Sequence, residues 1–108
     1  MAKYRSRLQI IAEILEIVSG GAKKTHIMYK ANLSYKLLCR YLEECLGCGF
    51  VKPDEQGYTV APKGEKFLKN FYSYMKRREH ADKELKLMNR EKALLEKMYN
   101  SSRSGARA

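Results

Sequence analysis

Long apolar runs are missing from this chain of 108 residues. No apolar stretch approaches the ~18 residues that a membrane-spanning helix requires. Residues 1–7 lead into an amphipathic segment, without the apolar core of a signal peptide. These absences lead us to expect an intracellular, cytoplasmic protein. With 44% hydrophobic residues, the chain has enough apolar side chains for one modest core.

Cysteine is also scarce, with three residues, two of them in the motif Cys45-Leu46-Gly47-Cys48. A structural zinc site normally has four ligands, but the sequence has no second motif of this kind and only His26 and His80. We therefore expect no metal site. The thiols are either free and partly buried, or Cys45 and Cys48 form a disulfide, which their spacing permits. A titration that finds three free thiols would exclude the disulfide.

Catalytic motifs are absent as well. The sequence has no serine, histidine and aspartate set typical of a nucleophilic enzyme, and no glycine-rich phosphate loop. Gly20-Gly21 is a helix stop. We expect a protein that is not an enzyme and that uses no cofactor.

Positive charge is abundant, with a formal net charge of +10. Residues 1–61 contain nine Lys and Arg against six Asp and Glu, whereas residues 62–108 contain 13 against six. An excess of this size, with a pI near 9.6, is the electrostatic footprint of a phosphate-binding surface. Composition alone allows a second interpretation, a basic surface that is merely solvated.

Helical patterns dominate the first half of the chain. Leu8, Ile11, Ile14, Leu15 and Val18 recur at helical spacing and predict a first amphipathic helix. We expect Ser6 to be its N-cap and residues 19–21 to end it, and Thr25 to cap a short second helix.

A turn at residues 31–33 is predicted to lead into a helix over residues 34–46 and then a β-hairpin around residues 54–57. This order is typical of a winged helix-turn-helix, which lays its second helix in the DNA major groove. The acidic hairpin tip, Asp54 and Glu55, is unfavourable for a wing on a phosphate strand. Double-stranded DNA is the predicted partner, and the candidate DNA-binding residues are Lys30, Ser34, Tyr35, Lys36, Arg40, Lys52 and Lys63.

A long helix is predicted over residues 63–99, because Pro62 suits a first helical turn and no later proline or mid-helix glycine interrupts the pattern. Its 37 residues would extend roughly 55 Å, more than the diameter of so small a domain. The predicted organisation is therefore a winged-helix domain over residues 1–62, a dimerisation helix over 63–99 and a flexible basic tail over 100–108.

Apolar residues at alternating steps of four and three along this helix favour a coiled-coil seam, which Arg78 and Lys92 interrupt. An alternative register drifts toward Leu87, Leu94 and Met98. Since the chain has one such helix, a second copy is the expected partner, in a parallel or antiparallel arrangement. The candidate interface residues are Phe67, Phe71, Tyr74, Ala81, Leu85, Met88 and Leu95.

Two segments resemble a known family: KTHIMYKANLSY at residues 24–35 and YTVAPKGEKFL at residues 58–68. They are similar to the small, chromatin-associated winged-helix proteins of the "10a" group from thermoacidophilic archaea, including a 12-kDa member. The resemblance implies a winged-helix domain at each end of an antiparallel coiled coil, in an elongated homodimer that binds double-stranded DNA with little sequence preference on the nucleoid. The Cys-x-x-Cys motif and the basic tail depart from the family pattern.

Three functions remain open from the sequence. The first is an architectural DNA-binding protein of archaeal chromatin, favoured by the charge and the predicted dimer. The second is a sequence-specific transcription regulator, which a helix-turn-helix fits equally well. The third is a protein-interaction module without DNA binding, supported by the acidic hairpin tip.

Overall fold

The computed structural model describes residues 5–105, and its elements follow the predicted order. They are α1 (Arg7–Val18), α2 (Lys24–Ala31), α3 (Tyr35–Cys48), β1 (Val51–Asp54), β2 (Gly57–Val60) and α4 (Pro62–Gly105). The predicted fold class, a mainly helical winged helix followed by a long C-terminal helix, is confirmed. The chain divides after Tyr72 into two compact units, a winged-helix unit and the remainder of α4.

Side-chain caps begin two of the helices. The Ser6 hydroxyl accepts a hydrogen bond from the backbone N–H of Gln9, whose side chain accepts one from the N–H of Ser6, forming the predicted cap of α1 as a capping box. Ser34 caps α3 by accepting from the N–H of Leu37. The prediction for Thr25 is wrong, because α2 begins at Lys24 with Lys23 as an N-cap that makes no side-chain bond.

The core of the winged-helix unit contains residues from every element. Ile14, Leu15 and Val18 of α1 are fully buried, as are Ile27 of α2 and Leu38 of α3. Burying an aliphatic side chain of this size contributes ~1.5–3 kcal/mol, so these residues hold the elements together. Leu8, expected on the inner face of α1, is half-exposed, and Ala12 occupies a buried position instead.

The hairpin is antiparallel, with Val51 opposite Val60 and Pro53 opposite Tyr58. Tyr58 directs its backbone groups to the other side, where it exchanges hydrogen bonds of 2.8 and 2.9 Å with Ala22. The carbonyl oxygen of Tyr58 therefore needs no backbone N–H from Pro53, and a proline, which has no N–H, fits inside this strand. The bridge to Ala22 also joins the hairpin to the segment between α1 and α2.

The first turns of α4 belong to the winged-helix unit. The ring of Phe67 lies 5.0 Å from that of Phe50 and 6.2 Å from that of Phe71, measured between centroids. Tyr72 donates a hydrogen bond to Glu16 of α1, and this carboxylate raises the pKa of Tyr72 to about 12. These contacts join the start of α4 to the core.

The far end of α4 differs from the predicted boundaries. The helix ends at Gly105, six residues beyond Tyr99. Residues 100–105, assigned to a flexible tail, are thus helical, and residues 106–108 lie outside the described part of the chain. Asn and Ser are only modestly unfavourable in a helix, so nothing before Gly105 is a strong enough breaker. Within residues 5–105, none of the helices is both long and apolar enough to cross a membrane.

Candidate nucleic-acid interface

The turn between α2 and α3 orients the candidate reading helix. Asn32 ends α2 in the left-handed conformation, at φ 54°. Arg5 donates hydrogen bonds to the carbonyl oxygens of Ala31, at 2.6 Å, and Asn32, at 3.1 Å, and it also pairs with Glu13 of α1. The Arg5 guanidinium thus ties α1 to the turn and satisfies carbonyls at a helix end. The sequence did not predict this role of Arg5, since no local pattern relates Arg5 to residues as distant as Ala31 and Asn32.

The outward face of α3 carries the predicted DNA-binding side chains. Leu38, Leu42 and Cys45 are buried on the inner face of this helix. Lys36 and Arg40, four residues apart, lie together on the opposite face, and both are exposed. Tyr35, in the first turn, has 60% of its surface exposed. Because Ser34 is the N-cap, Tyr35 and Lys36 stand in the first turn, at the positive end of the helix dipole, where an anion is favoured. Arg40 lies in the second turn.

Lys24 was not predicted as part of this surface. Its ammonium lies 5.2 Å from the centroid of the Tyr35 ring, in a cation–π contact that links the start of α2 to the first turn of α3. Interaction with Cys39, and then with Tyr35, raises the pKa of Lys24, so its charge is retained. Tyr29 of α2 is exposed over 77% of its surface. A contact between α2 and α3 places Lys24 beside Tyr35, and the sequence around Lys24 does not predict this contact.

Acidic residues limit the positively charged part of this face of α3 to its first turns. Glu43 is exposed on the same side as Arg40, one turn farther along. Glu44 accepts a hydrogen bond from Arg7 of α1, with 2.9 Å between nitrogen and oxygen, and so faces away from this surface. A phosphate strand near the last turns of α3 would meet the carboxylate of Glu43.

The other predicted cations are spread along the unit. Lys30 is exposed in the last turn of α2, before the turn that leads to α3. Lys52 is exposed on β1, and the stem of Lys63 lies beside Gly49, the C-cap of α3. The N- and C-caps of α3 are about 20 Å apart, so Lys63 is far from the cluster of Lys24, Lys36 and Arg40.

The hairpin tip has the acidic character expected from the sequence. Asp54 and Glu55 are both exposed, and the Asp54 carboxylate accepts a hydrogen bond of 2.6 Å from the backbone N–H of Glu55. This bond fixes the start of the turn. The wing therefore presents negative charge at its tip and a cation, Lys52, nearer its base.

All three cysteines, Cys39, Cys45 and Cys48, are free thiols. Cys45 is buried, and burial, with smaller effects of Cys48 and Glu44, raises the pKa of its thiol to about 11. Cys48 is exposed one turn farther along α3. Both cysteines line an open, mostly apolar pocket between α1 and the end of α3. In the described part of the chain, no three His, Cys, Asp or Glu side chains are grouped closely enough to hold a metal ion.

The candidate dimer seam falls in both units of the chain. Phe67 and Phe71 are half-buried against the core of their own winged-helix unit. Beyond Tyr72, the seam residues are exposed: 51% of Tyr74, 55% of Leu85, 60% of Met88 and 64% of Leu95, with Ala81 between them. The first two rings thus cover the core of their own chain, and the later residues form an uncovered apolar row.

Comparison with known proteins identifies the family of this chain, two relatives and a solved structure of similar fold. Residues 4–79 match the winged helix-turn-helix family. The uncharacterized protein MJ0287 of Methanocaldococcus jannaschii is 33% identical over 69 residues, covering 63% of this chain and 71% of that protein. MJ0290 of the same organism is 42% identical over 65 residues, covering 59% of this chain but 31% of the relative.

A solved structure has the same fold. It is Sso10a-2, a DNA-binding protein from Sulfolobus solfataricus, with a TM-score of 0.62 and 22% identity over 70% of this chain and 84% of that one. The predicted resemblance to the archaeal winged-helix proteins is confirmed by these matches, and they indicate a protein that is not an enzyme. The chain belongs to the winged helix-turn-helix family.

Proposed function

We propose that this protein binds double-stranded DNA through the outward face of α3, as a homodimer joined by α4, in an architectural role with weak sequence preference. The observation that carries the proposal is the exposed cluster of Tyr35, Lys36 and Arg40 at the N-terminal end of α3. Helix-turn-helix proteins contact DNA with this part of the second helix. The proposed place of action is the nucleoid, in the cytoplasm.

The chemistry of the cluster suits a nucleic acid. Arg40 can form a bidentate pair with a guanine edge or a phosphate, whereas Lys36 provides a point charge. Lys24, above the Tyr35 ring, adds a third cation to the same end of the helix. A net charge of +10 favours association with a polyanion. The DNA-binding description of Sso10a-2, which shares the fold, supports the same partner.

The proposed homodimer rests on the uncovered apolar row of α4. Leu85, Met88 and Leu95 each expose more than half of their surface along one helix. Alternating steps of four and three residues are the pattern of helices that pack by inserting side chains between those of a partner helix. Because the pattern continues through the second unit of the chain, the matching helix is that of a second copy.

Leu85→Glu is expected to convert the dimer into monomers, because it places a charge among the apolar side chains of the seam without an oppositely charged partner. Sedimentation equilibrium should then give a mass near 12.5 kDa, where the unmodified chain gives twice this value. Leu87→Glu is the matched control, since Leu87 is similarly exposed but lies off this seam. Dissociation by Leu87→Glu alone would move the seam to the register of Leu87, Leu94 and Met98.

The architectural role is tested with two unrelated duplexes of equal length, titrated across a salt series. We expect similar affinities that fall steeply with salt, because each phosphate contact contributes a slope of about −0.9 in the log–log plot. A preference of ~10³-fold for one duplex would identify a sequence-specific regulator instead. Absence of binding to either duplex at low salt would favour a protein-interaction module.

A further inference from the structure

A row of basic residues recurs every seventh position along α4. Its members are Lys69, Lys76, Lys83, Arg90 and Lys97. The four from Lys76 onward lie in the unit after Tyr72, where all of them are exposed, and we call these four the outer basic row. A period of seven keeps side chains on one side of a coiled-coil helix. The row is therefore a continuous stripe of one charge.

The outer basic row faces away from the proposed seam. With Leu85 and Met88 in the a and d positions of the heptad, the row occupies f, the position farthest from the partner helix. Acidic residues are sorted to the other side: Asp82 and Glu96 fall at e, and Glu84 and Glu91 at g, beside the seam.

The outer side of the helix, at positions b, c and f, has one acidic residue among residues 73–103. It is Glu79, whose carboxylate lies 3.6 Å from the ammonium of Lys83. Leu87 and Leu94 border the row at position c. A merely solvated helix face usually alternates in sign, but this stripe is uniformly positive, so it is suited to a polyanion.

The spacing of the row matches an extended phosphate surface. Successive members are ~10.5 Å apart at 1.5 Å per residue, and the row from Lys76 to Lys97 covers about 31 Å. This length is close to one turn of B-DNA, which is roughly 34–36 Å. A straight helix of this length can approach the backbones of one turn without entering a groove, and charge contacts of this kind do not depend on base sequence.

We propose that the outer basic row is a second DNA-binding surface, which holds the phosphate backbone of a duplex independently of α3. The proposal rests on the proposed function in naming duplex DNA as the occupant. It adds a surface outside the winged-helix unit. A chain with both surfaces contacts DNA at two places, and this arrangement favours compaction over the reading of a single site.

Charge reversal tests the row against a matched control in the full-length chain. Arg90→Glu with Lys97→Glu removes two members that have no acidic neighbour three or four positions away. Arg77→Glu with Arg103→Glu changes the net charge equally, but these exposed residues lie at g and e. Each pair is introduced into the unmodified chain and into the Lys36→Ala, Arg40→Ala variant, with helicity and mass checked. Binding to a duplex of arbitrary sequence is then measured across a salt series.

The row variant is expected to bind the duplex about tenfold or more weakly at low salt. Its slope of log affinity against log salt concentration should be smaller by about 2 per chain, whereas the control pair should leave this slope unchanged. In the Lys36→Ala, Arg40→Ala background, the row variant should abolish the remaining binding. Equal losses in both pairs, or no loss in either, would overturn the second surface and leave binding through α3 intact. If the row variant binds more weakly while the Lys36→Ala, Arg40→Ala variant binds as the unmodified chain does, α3 is not the reading helix. Absence of binding by the unmodified chain would overturn the proposed function and the occupant named here.

Discussion

Gly64→Ala is expected to destabilise the winged-helix unit by about 3 kcal/mol or more, the upper end of the cost of overpacking a core. A Cβ at Gly64 would stand 2.2 Å from the carbonyl oxygen of Phe50 and 2.9 Å from a methyl carbon of Val60. The nearest obstacle is backbone, which cannot rotate away as a side chain would. Its oxygen also accepts a hydrogen bond of 2.8 Å from the N–H of Ala61, so moving it would strain a second contact.

Gly47→Ala is the matched control, because it introduces the same methyl group into another helix. Apart from its chain neighbours and the backbone of its own helix, no atom lies within 4 Å of a Cβ at Gly47, inside α3. Alanine loses less backbone freedom than glycine on folding, so this variant should gain about 0.5–1 kcal/mol. Urea and thermal unfolding would measure both, and Gly64→Ala should lower the midpoint temperature by at least ~10 °C. A Gly64→Ala variant as stable as the unmodified chain would contradict the close approach of α4 to Phe50.

Local signals predicted most of the elements. Ser6 and Ser34 are caps in the structure, and each hydroxyl accepts a hydrogen bond from a backbone N–H three residues farther along the chain. Hydrophobic spacing placed Leu38, Leu42 and Cys45 on one face of α3, and all three are buried there. The opposite face of the helix, with Lys36 and Arg40, follows from the same period. Such features need no knowledge of the tertiary fold.

The features that sequence reasoning missed depend on distant residues. Gly64 looks like an ordinary glycine near a helix start, and its closeness to Phe50 exists only after α4 folds back on the hairpin. In the bridge between Ala22 and Tyr58, the segment before α2 contributes the single residue Ala22, and one residue is too short to give the alternating sequence pattern of a strand. Arg5 reaches a turn 26 and 27 residues away. Since propensity and periodicity describe neighbours along the chain, they carry no information about these contacts.

The predicted site residues divide in the same way. Ser34, Tyr35, Lys36 and Arg40 share one end of α3 because they are close in sequence. Charge makes Lys63 a candidate in the sequence, but the fold places it beside Gly49, at the other end of that helix. Lys24 joins the cluster through the Tyr35 ring, a contact between two helices. Charge in the sequence indicates a partner, whereas the fold decides which charges act together.

Lys36→Ala combined with Arg40→Ala is expected to weaken duplex binding by about 1–3 kcal/mol, a factor of roughly 5 to 150, because it removes the cations at the centre of the proposed reading surface. The slope of log affinity against log salt should fall by about 1 for each phosphate that the variant no longer neutralises. Folding should be nearly unaffected, since both side chains are exposed and surface substitutions usually change stability by less than ~0.5 kcal/mol. Fluorescence anisotropy with a labelled duplex would measure the affinity, and thermal unfolding would verify the fold.

Lys66→Ala with Arg77→Ala separates a local contact from a general effect of charge. This control removes the same two positive charges from exposed positions of α4, outside both proposed DNA surfaces. Screening limits the reach of exposed charges to about 10 Å at 0.1 M salt, so the control pair should change the affinity little under these conditions. If both pairs weaken binding equally, the attraction comes from net charge alone. If the α3 pair binds as tightly as the unmodified chain while remaining folded, a surface other than this face of α3 must contact the DNA.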